Sequence, residues 1–194
     1  MKYLFILFNS YKRTNKKFKK LLAKLQYNVD FIFYRSLEND LNNYTHYDGL
    51  IFGPDKPFKL TKLENLKNKY LLKIYKLYQQ FSKKRVIGIC FGLQLLSIFN
   101  GCEVGELKIK KPNFMKKINL DLRYKIFENI TENTFCRSHE RIIVKISDAV
   151  RVIAHDEDGP MAIKVKDRFH YGFQFHPEIS YQQGIQLLEN IKKI

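Results

Sequence analysis

The stretch Arg85-Val86-Ile87-Gly88-Ile89-Cys90-Phe91-Gly92-Leu93-Gln94-Leu95-Leu96 constrains the rest of the chain most tightly. A short β-branched apolar run stops at a cysteine set between two glycines, and an apolar segment of helix-forming residues follows at once. This pattern predicts a buried strand that turns sharply into a helix with Cys90 at the apex. Gly88 and Gly92 allow backbone to approach backbone where a Cβ would clash. At the start of a helix the unpaired N–H groups and the dipole favour negative charge, which suits a sulfur nucleophile. The stretch reads as a nucleophile elbow with cysteine in place of serine.

The flanking sequence supplies a sheet for such an elbow. Residues 2–8 read as the first buried strand, 12–25 as an amphipathic helix with Phe18, Leu21, Leu22 and Leu25 on one side, and 29–34 as a second strand. A polar connection over 41–46 leads to a third strand, Gly49-Leu50-Ile51-Phe52, which ends at Gly53-Pro54-Asp55-Lys56-Pro57. Residues 60–81 keep a helical period through Leu63, Leu66, Tyr70, Leu71, Ile74, Leu77, Tyr78 and Phe81. The elbow strand 85–89 and its helix 93–99 come next. Strand alternating with helix in this way implies a parallel, doubly wound sheet with helices on both faces.

Beyond Gly101 the texture changes. Val104, Ile109 and the segments 114–120, 141–146, 150–154 and 161–165 read as short strands with no helices between them, an antiparallel extension. Residues 169–175 form the last apolar strand and 185–191 a terminal helix. The expected fold is α/β, a doubly wound, mostly parallel sheet with flanking helices and a small antiparallel extension. No repeat, low-complexity tract or linker divides it, so residues 1–194 read as a single domain.

Composition narrows the class further. A hydrophobic content of 45% argues for a globular fold, and no apolar run approaches the ~20 residues that cross a bilayer. The apolar start, Met1 to Phe8, runs into Asn9-Ser10-Tyr11-Lys12-Arg13 without a small-residue cleavage site, so it reads as a strand and not as a secretion signal. The 3 cysteines, Cys90, Cys102 and Cys136, are too few and odd in number for a disulfide framework and fit a reducing, cytoplasmic compartment. The net charge of +16 comes from lysines such as Lys16, Lys17, Lys19, Lys20, Lys108, Lys110 and Lys111, interleaved with apolar residues at helical spacing. That describes solvated helix faces; no nucleic-acid motif accompanies the charge, and neither nucleic acid nor membrane is expected as a partner.

A cysteine nucleophile needs a base, and the base needs an orienting group. Both stand together in Tyr171-Gly172-Phe173-Gln174-Phe175-His176-Pro177-Glu178. The apolar strand delivers His176 to its carboxyl end, where sites form in open α/β sheets. Glu178 lies two residues on, within reach of the imidazole. Cys102, Cys136, His46, His155 and His170 have no partners at metal-ligand spacing and read as packing or surface residues.

The segments Gly88-Ile89-Cys90-Phe91-Gly92-Leu93-Gln94 and Gly172-Phe173-Gln174-Phe175-His176-Pro177-Glu178 together resemble the two most diagnostic motifs of the class I, triad-type glutamine amidotransferases, in the usual order. The resemblance implies that Cys90 attacks the side-chain amide of L-glutamine, that His176 acts as base and then acid, and that Glu178 orients it. A γ-glutamyl thioester then yields glutamate and ammonia. It further implies an oxyanion hole from the N–H groups of Phe91 and Gly53, each donor contributing about 3–4 kcal/mol in such sites, and a substrate pocket lined by Gln94. Arg137-Ser138-His139-Glu140 resembles the Ser-His segment of the amidotransferase subunit of GMP synthetases, which makes Ser138 and His139 substrate-binding candidates; it leaves open whether His139 only shapes the loop.

Two departures from the family pattern stand out. The oxyanion loop Ile51-Phe52-Gly53-Pro54-Asp55 has one glycine where two are usual, and Pro54 has no N–H to offer. Arg141 stands where the GMP synthetase type carries Asp. The implied activity needs no cofactor or metal. No nucleotide-binding loop remains for an acceptor reaction, so a separate synthetase subunit, GMP synthetase-like as a first assignment, is the expected partner. Two other readings compete: a γ-glutamyl hydrolase-type peptidase, and a degenerate amidotransferase kept as a binding protein.

Overall fold

The computed structural model describes residues 1–8, 12–54, 58–107 and 114–194. Its parallel half begins with β1 (Lys2–Leu7), α1 (Lys12–Lys24), β2 (Asn28–Phe33) and β3 (Gly49–Phe52), followed by α2 (Lys69–Gln80), β4 (Arg85–Ile89) and α3 (Phe91–Phe99). The remainder runs β5 (Glu103–Glu106), β6 (Phe114–Lys117), β7 (Asn119–Leu120), β8 (Thr134–Arg137), β9 (Arg141–Lys145), β10 (Val150–Asp156), β11 (Gly159–Val165), β12 (His170–Phe173) and α4 (Tyr181–Lys193). An eight-stranded sheet has the order β2-β1-β3-β4-β12-β11-β10-β7, and two small ribbons pair β5 with β9 and β6 with β8.

From β2 to β12 every pairing in the large sheet is parallel. From β12 to β7 every pairing is antiparallel. This is the expected doubly wound sheet with an antiparallel extension. β12 is the seam between its halves, and β4 lies against both β3 and β12 in register, Phe52 opposite Gly88 and Phe173 opposite Ile89. The carboxyl ends of β4 and β12 therefore lie side by side.

Near-continuous apolar strands are what a sheet covered on both faces requires. Alternate residues of each strand supply opposite layers. Leu4, Ile6, Leu50, Phe52 and Val86 pack with Leu71, Ile74 and Leu77 of α2 and Leu93 and Leu96 of α3. Tyr3, Phe5, Ile51, Ile87 and Ile89 pack on the other face with Phe18 and Leu22 of α1 and Leu187, Leu188 and Ile191 of α4. Among the described residues no helix is long and apolar enough to cross a membrane.

Several expected boundaries shift for identifiable reasons. The helix read over 60–81 starts only at Lys69, because the Asn68 side chain accepts the N–H groups of Tyr70 and Leu71 at 2.9 and 3.3 Å and so caps it. The preceding segment holds one short turn, Leu63–Asn65, and its leucines reach the same core without a helix. The strand read over 114–120 breaks at Ile118, whose N–H donates to Asn133 O at 2.8 Å. β8 has no counterpart among the strands expected from the sequence. The last strand stops at Phe173, since the N–H of Gln174 turns to Met161 O and that of His176 to Cys136 O, each at 2.8 Å. The strand expected around Ile109, with Lys108, Lys110 and Lys111, lies outside the described residues, as does Asp55 of the loop after β3.

His170, at the start of β12, is fully buried. Its Nε2–H donates to Phe81 O at 3.2 Å and its Nδ1 accepts the Tyr78 hydroxyl at 3.0 Å, the pattern of a neutral ring. Burial pulls its pKa down to about 4. An unfolded chain takes up this proton near the ordinary imidazole value of about 6.5, so below that pH the unfolded state binds more protons and stability falls with falling pH. The stability at stake is about 3 kcal/mol, fully present above about pH 6.5 and lost as pH drops towards 4. Urea unfolding at about pH 7 and about pH 4.5 checks this: His170→Asn should weaken the protein at the higher pH and flatten the pH dependence.

Candidate active site

The elbow is built by backbone contact. A Cβ on Gly88 would stand 2.4 Å from Gly92 O, and one on Gly92 would stand 2.2 Å from Phe52 O, both distances that only glycine allows. Strand β3, strand β4 and the first turn of α3 thus touch main chain to main chain. Cys90 between them has φ 53° and ψ −103°, a conformation strained for any residue with a Cβ. Its N–H donates to Phe173 O at 2.7 Å, which joins the elbow to the end of β12. The first helical bond of α3 runs from Gln94 N to Cys90 O at 3.3 Å. The N–H groups of Phe91, Gly92 and Leu93 therefore have no acceptor within the helix and face its amino end beside the sulfur.

His176 is delivered by the neighbouring strand and then fastened. Its N–H donates to Cys136 O at 2.8 Å. The Cys136 N–H donates to Ser180 Oγ at 2.9 Å, and that hydroxyl donates to His176 O at 2.6 Å. Cys136 and Ser180 therefore brace the loop. The imidazole Nδ1–H donates to Glu178 Oε1 at 2.7 Å, with the carboxylate buried to 1% exposure. Nε2 is left without a hydrogen bond of acceptable geometry. Burial alone would push the pKa of His176 down, but the Cys90 sulfur and the Glu178 carboxylate outweigh it and hold the ring well above the usual imidazole value. The structure brings Cys90, His176 and Glu178 together.

The rest of the pocket is polar and partly unsatisfied. The Cys90 thiol lies 3.7 Å from Ser138 O, to which it donates, and 3.7 Å from Gln174 Nε2, which donates to it. Gln94 Nε2 donates to Gln174 Oε1 at 3.3 Å and to Arg141 O at 3.2 Å. His139 donates from Nδ1 to the same Arg141 carbonyl at 3.0 Å, and burial pulls its pKa down to about 4, so the ring is neutral near pH 7. Gln94 Oε1, His139 Nε2 and His176 Nε2 are buried and unpartnered. The guanidinium of Arg141 turns away to Val104 O at 3.2 Å.

Gln174 is a pocket residue that sequence reasoning misses, although it lies inside one of the two motifs. An amide side chain at 0% exposure in an otherwise apolar strand is the signal that could have found it. Gly53 differs from its expected role. Its N–H donates to Ile6 O at 3.1 Å, extending the contact with β1 past the end of β3, and is not free to receive an oxyanion.

The model of the glutamine amidotransferase class-I family matches residues 6–193. The chain belongs to that family. Among curated proteins it is 35% identical over 147 residues to the glutamine-hydrolyzing subunit of the GMP synthase of Methanococcus vannielii, covering 73% of this chain and 69% of the relative. It is 31% identical over 108 residues to the GMP synthase of Clostridium botulinum, covering 54% of this chain and only 21% of that longer protein. Among solved structures it superposes on a glutamine amidotransferase of Thermotoga maritima with a TM-score of 0.73 at 16% identity, over 100% of this chain and 83% of the other, a likeness of fold.

The elbow contact makes a strong prediction. Gly92→Ala forces a carbon against a carbonyl oxygen that belongs to the central sheet, so it should destabilise the protein by about 4 kcal/mol or more. Chemical unfolding monitored by circular dichroism measures this; a loss under about 1 kcal/mol would show that the three backbones are not in contact as described.

Proposed function

We propose that this amidotransferase hydrolyses L-glutamine to glutamate and ammonia through Cys90, His176 and Glu178, and passes the ammonia to a separate synthase subunit that carries out a GMP synthase-type reaction. The carrying observation is a strained, buried cysteine next to a histidine whose far nitrogen is fixed by a buried carboxylate. The family supports the reaction class, and relatives named as one subunit of a GMP synthase support a two-subunit arrangement.

In this reading the Cys90 proton passes to His176 Nε2 and the sulfur attacks the amide carbon of the glutamine side chain. The negative oxygen of the tetrahedral species sits at the amino end of α3, where the Phe91 N–H donates to it. His176 returns the proton to the departing nitrogen, which leaves as ammonia, and a γ-glutamyl thioester remains on Cys90. His176 then takes a proton from water, the hydroxide adds to the thioester carbon, and glutamate leaves as the thiolate is restored. Glu178 stabilises the imidazolium in both halves. Gln94 Oε1 and the neutral His139 Nε2 are acceptors without partners, and two acceptors suit the ammonium of an amino acid.

Cys90→Ala should abolish glutamate release while the protein stays folded, and Glu178→Gln should slow it by about a hundredfold or more, because the imidazolium loses its counter-charge. Glutamate formation in a coupled dehydrogenase assay is the measurement. Unchanged turnover in Cys90→Ala, or none from clean protein with an intact thiol, would refute the reading.

A further inference from the structure

Arg137 is the largest fully buried side chain of the protein, a place where a guanidinium is rarely found without a reason. It stands at the end of β8, one residue after Cys136, whose backbone holds His176, and one before Ser138, whose carbonyl faces the Cys90 thiol. Its NH1 donates to Asp156 Oδ2 at 2.7 Å, with both side chains only 2% exposed. Its NH2 pairs with Asp158, and its plane lies 4.5 Å over the Phe114 ring. The carboxylates come from the tight turn between β10 and β11. There the Asp156 Oδ1 also accepts the Asp158 N–H at 2.8 Å, so one carboxylate closes the turn and grips the arginine. Lys116 of β6 adds a second cation, 4.0 Å from Asp156 and 3.9 Å from Asp158, and pairs with Glu157.

A buried ion pair of this kind contributes little net stability, since desolvation of both charges offsets their attraction. What it does supply is geometry: a guanidinium gripped from two sides fixes where its own backbone stands. The backbone it fixes is the corner that presents Ser138 O to the thiol and places His139 over the pocket. We propose that Arg137 is a positioning residue for glutamine hydrolysis, its clamp by Asp156 and Asp158 setting the Ser138–His139 corner against Cys90. This rests on the hydrolysis reading given above.

Single removals leave a buried charge without a counter-charge and weaken the fold, so they cannot separate the roles. The double variant Arg137→Met/Asp156→Asn removes both charges and leaves Lys116 to face Asp158 and Glu157. Thermal unfolding should return close to wild type in the double variant, whereas KM for glutamine should stay raised by at least about fivefold, kcat falling less, because the corner no longer has a fixed position. The rate at which iodoacetamide alkylates Cys90, followed by mass spectrometry of its peptide, should also change by about threefold or more. Arg137→Lys, which keeps the charge and loses the fork, should fall between the double variant and wild type, and it carries the same comparison if the double variant does not fold. A double variant with wild-type KM and wild-type alkylation would overturn the proposal and leave Arg137 a structural ion pair. If the wild-type protein proves unable to hydrolyse glutamine, the function reading fails, while the alkylation comparison still decides the clamp.

Discussion

Everything at the candidate site depends on a contact between peptide backbones with no side chain between them. Gly88 faces the carbonyl of Gly92, and Gly92 faces the carbonyl of Phe52, so β3, β4 and α3 meet with no room for a Cβ. This contact forces the chain at Cys90 through a left-handed conformation that costs about 1–3 kcal/mol. Such strain persists only where the surroundings over-determine it. Here they do: every residue of α3 is buried, β4 is paired on both sides, and the Cys90 N–H is bound to Phe173. The helix amino end, with its unsatisfied N–H groups, is thereby pinned beside the sulfur.

The parallel and antiparallel halves of the sheet have separate jobs, joined at β12. The parallel half holds the elbow. The antiparallel half holds what surrounds it: β8 braces His176 through Cys136, and the corner after β8 brings Ser138 and His139 against the thiol. β12 is parallel to β4 and antiparallel to β11, so a displacement of either half would show as a change in the separation of Cys90 and His176. The electrostatics follow from that closeness. Burial works against a charged imidazole, and only the nearness of sulfur and carboxylate reverses the balance.

The parallel half is legible in the sequence because its signals are local. Periodicity names strands and helices, Gly88 and Gly92 name the turn, and His176-Pro177-Glu178 names a base and its support within three neighbouring positions. The antiparallel half is less legible because its signals are not. Thr134-Phe135-Cys136-Arg137 is short and carries a charged residue, so no period marks it as β8; it becomes a strand only through pairing with β6 and through the partners of Arg137 on a distant turn. Gln174 is hidden for the same reason. A buried amide is informative only when the residues it bonds are known, and Gln94 and Cys90 lie far away in sequence. Periodicity overextends α2 because Leu63 and Leu66 fit a helical period by spacing alone, while Asn68 settles the start by capping.

The loop after β3 poses the remaining physical question of the site. An oxyanion in the proposed reaction needs donors placed before the charge forms, each contributing about 3–4 kcal/mol. The Phe91 donor comes with the nucleophile itself, because the turn that exposes Cys90 also starts α3. A second donor must come from across the pocket, and there the Gly53 N–H is bound to Ile6 O while Pro54 has none. With a single glycine the backbone reaches the end of β3 still hydrogen-bonded to β1, whereas a second glycine would let the chain leave that contact one residue earlier. In this conformation the developing charge would fall on the amino end of α3, which makes the glycine contact beneath it the foundation of binding and catalysis alike. Releasing Gly53 from Ile6 exchanges one neutral hydrogen bond, of about 1 kcal/mol net, for a donor to an oxyanion of larger benefit. On those magnitudes the substrate's own transition state is the group best able to draw the loop across.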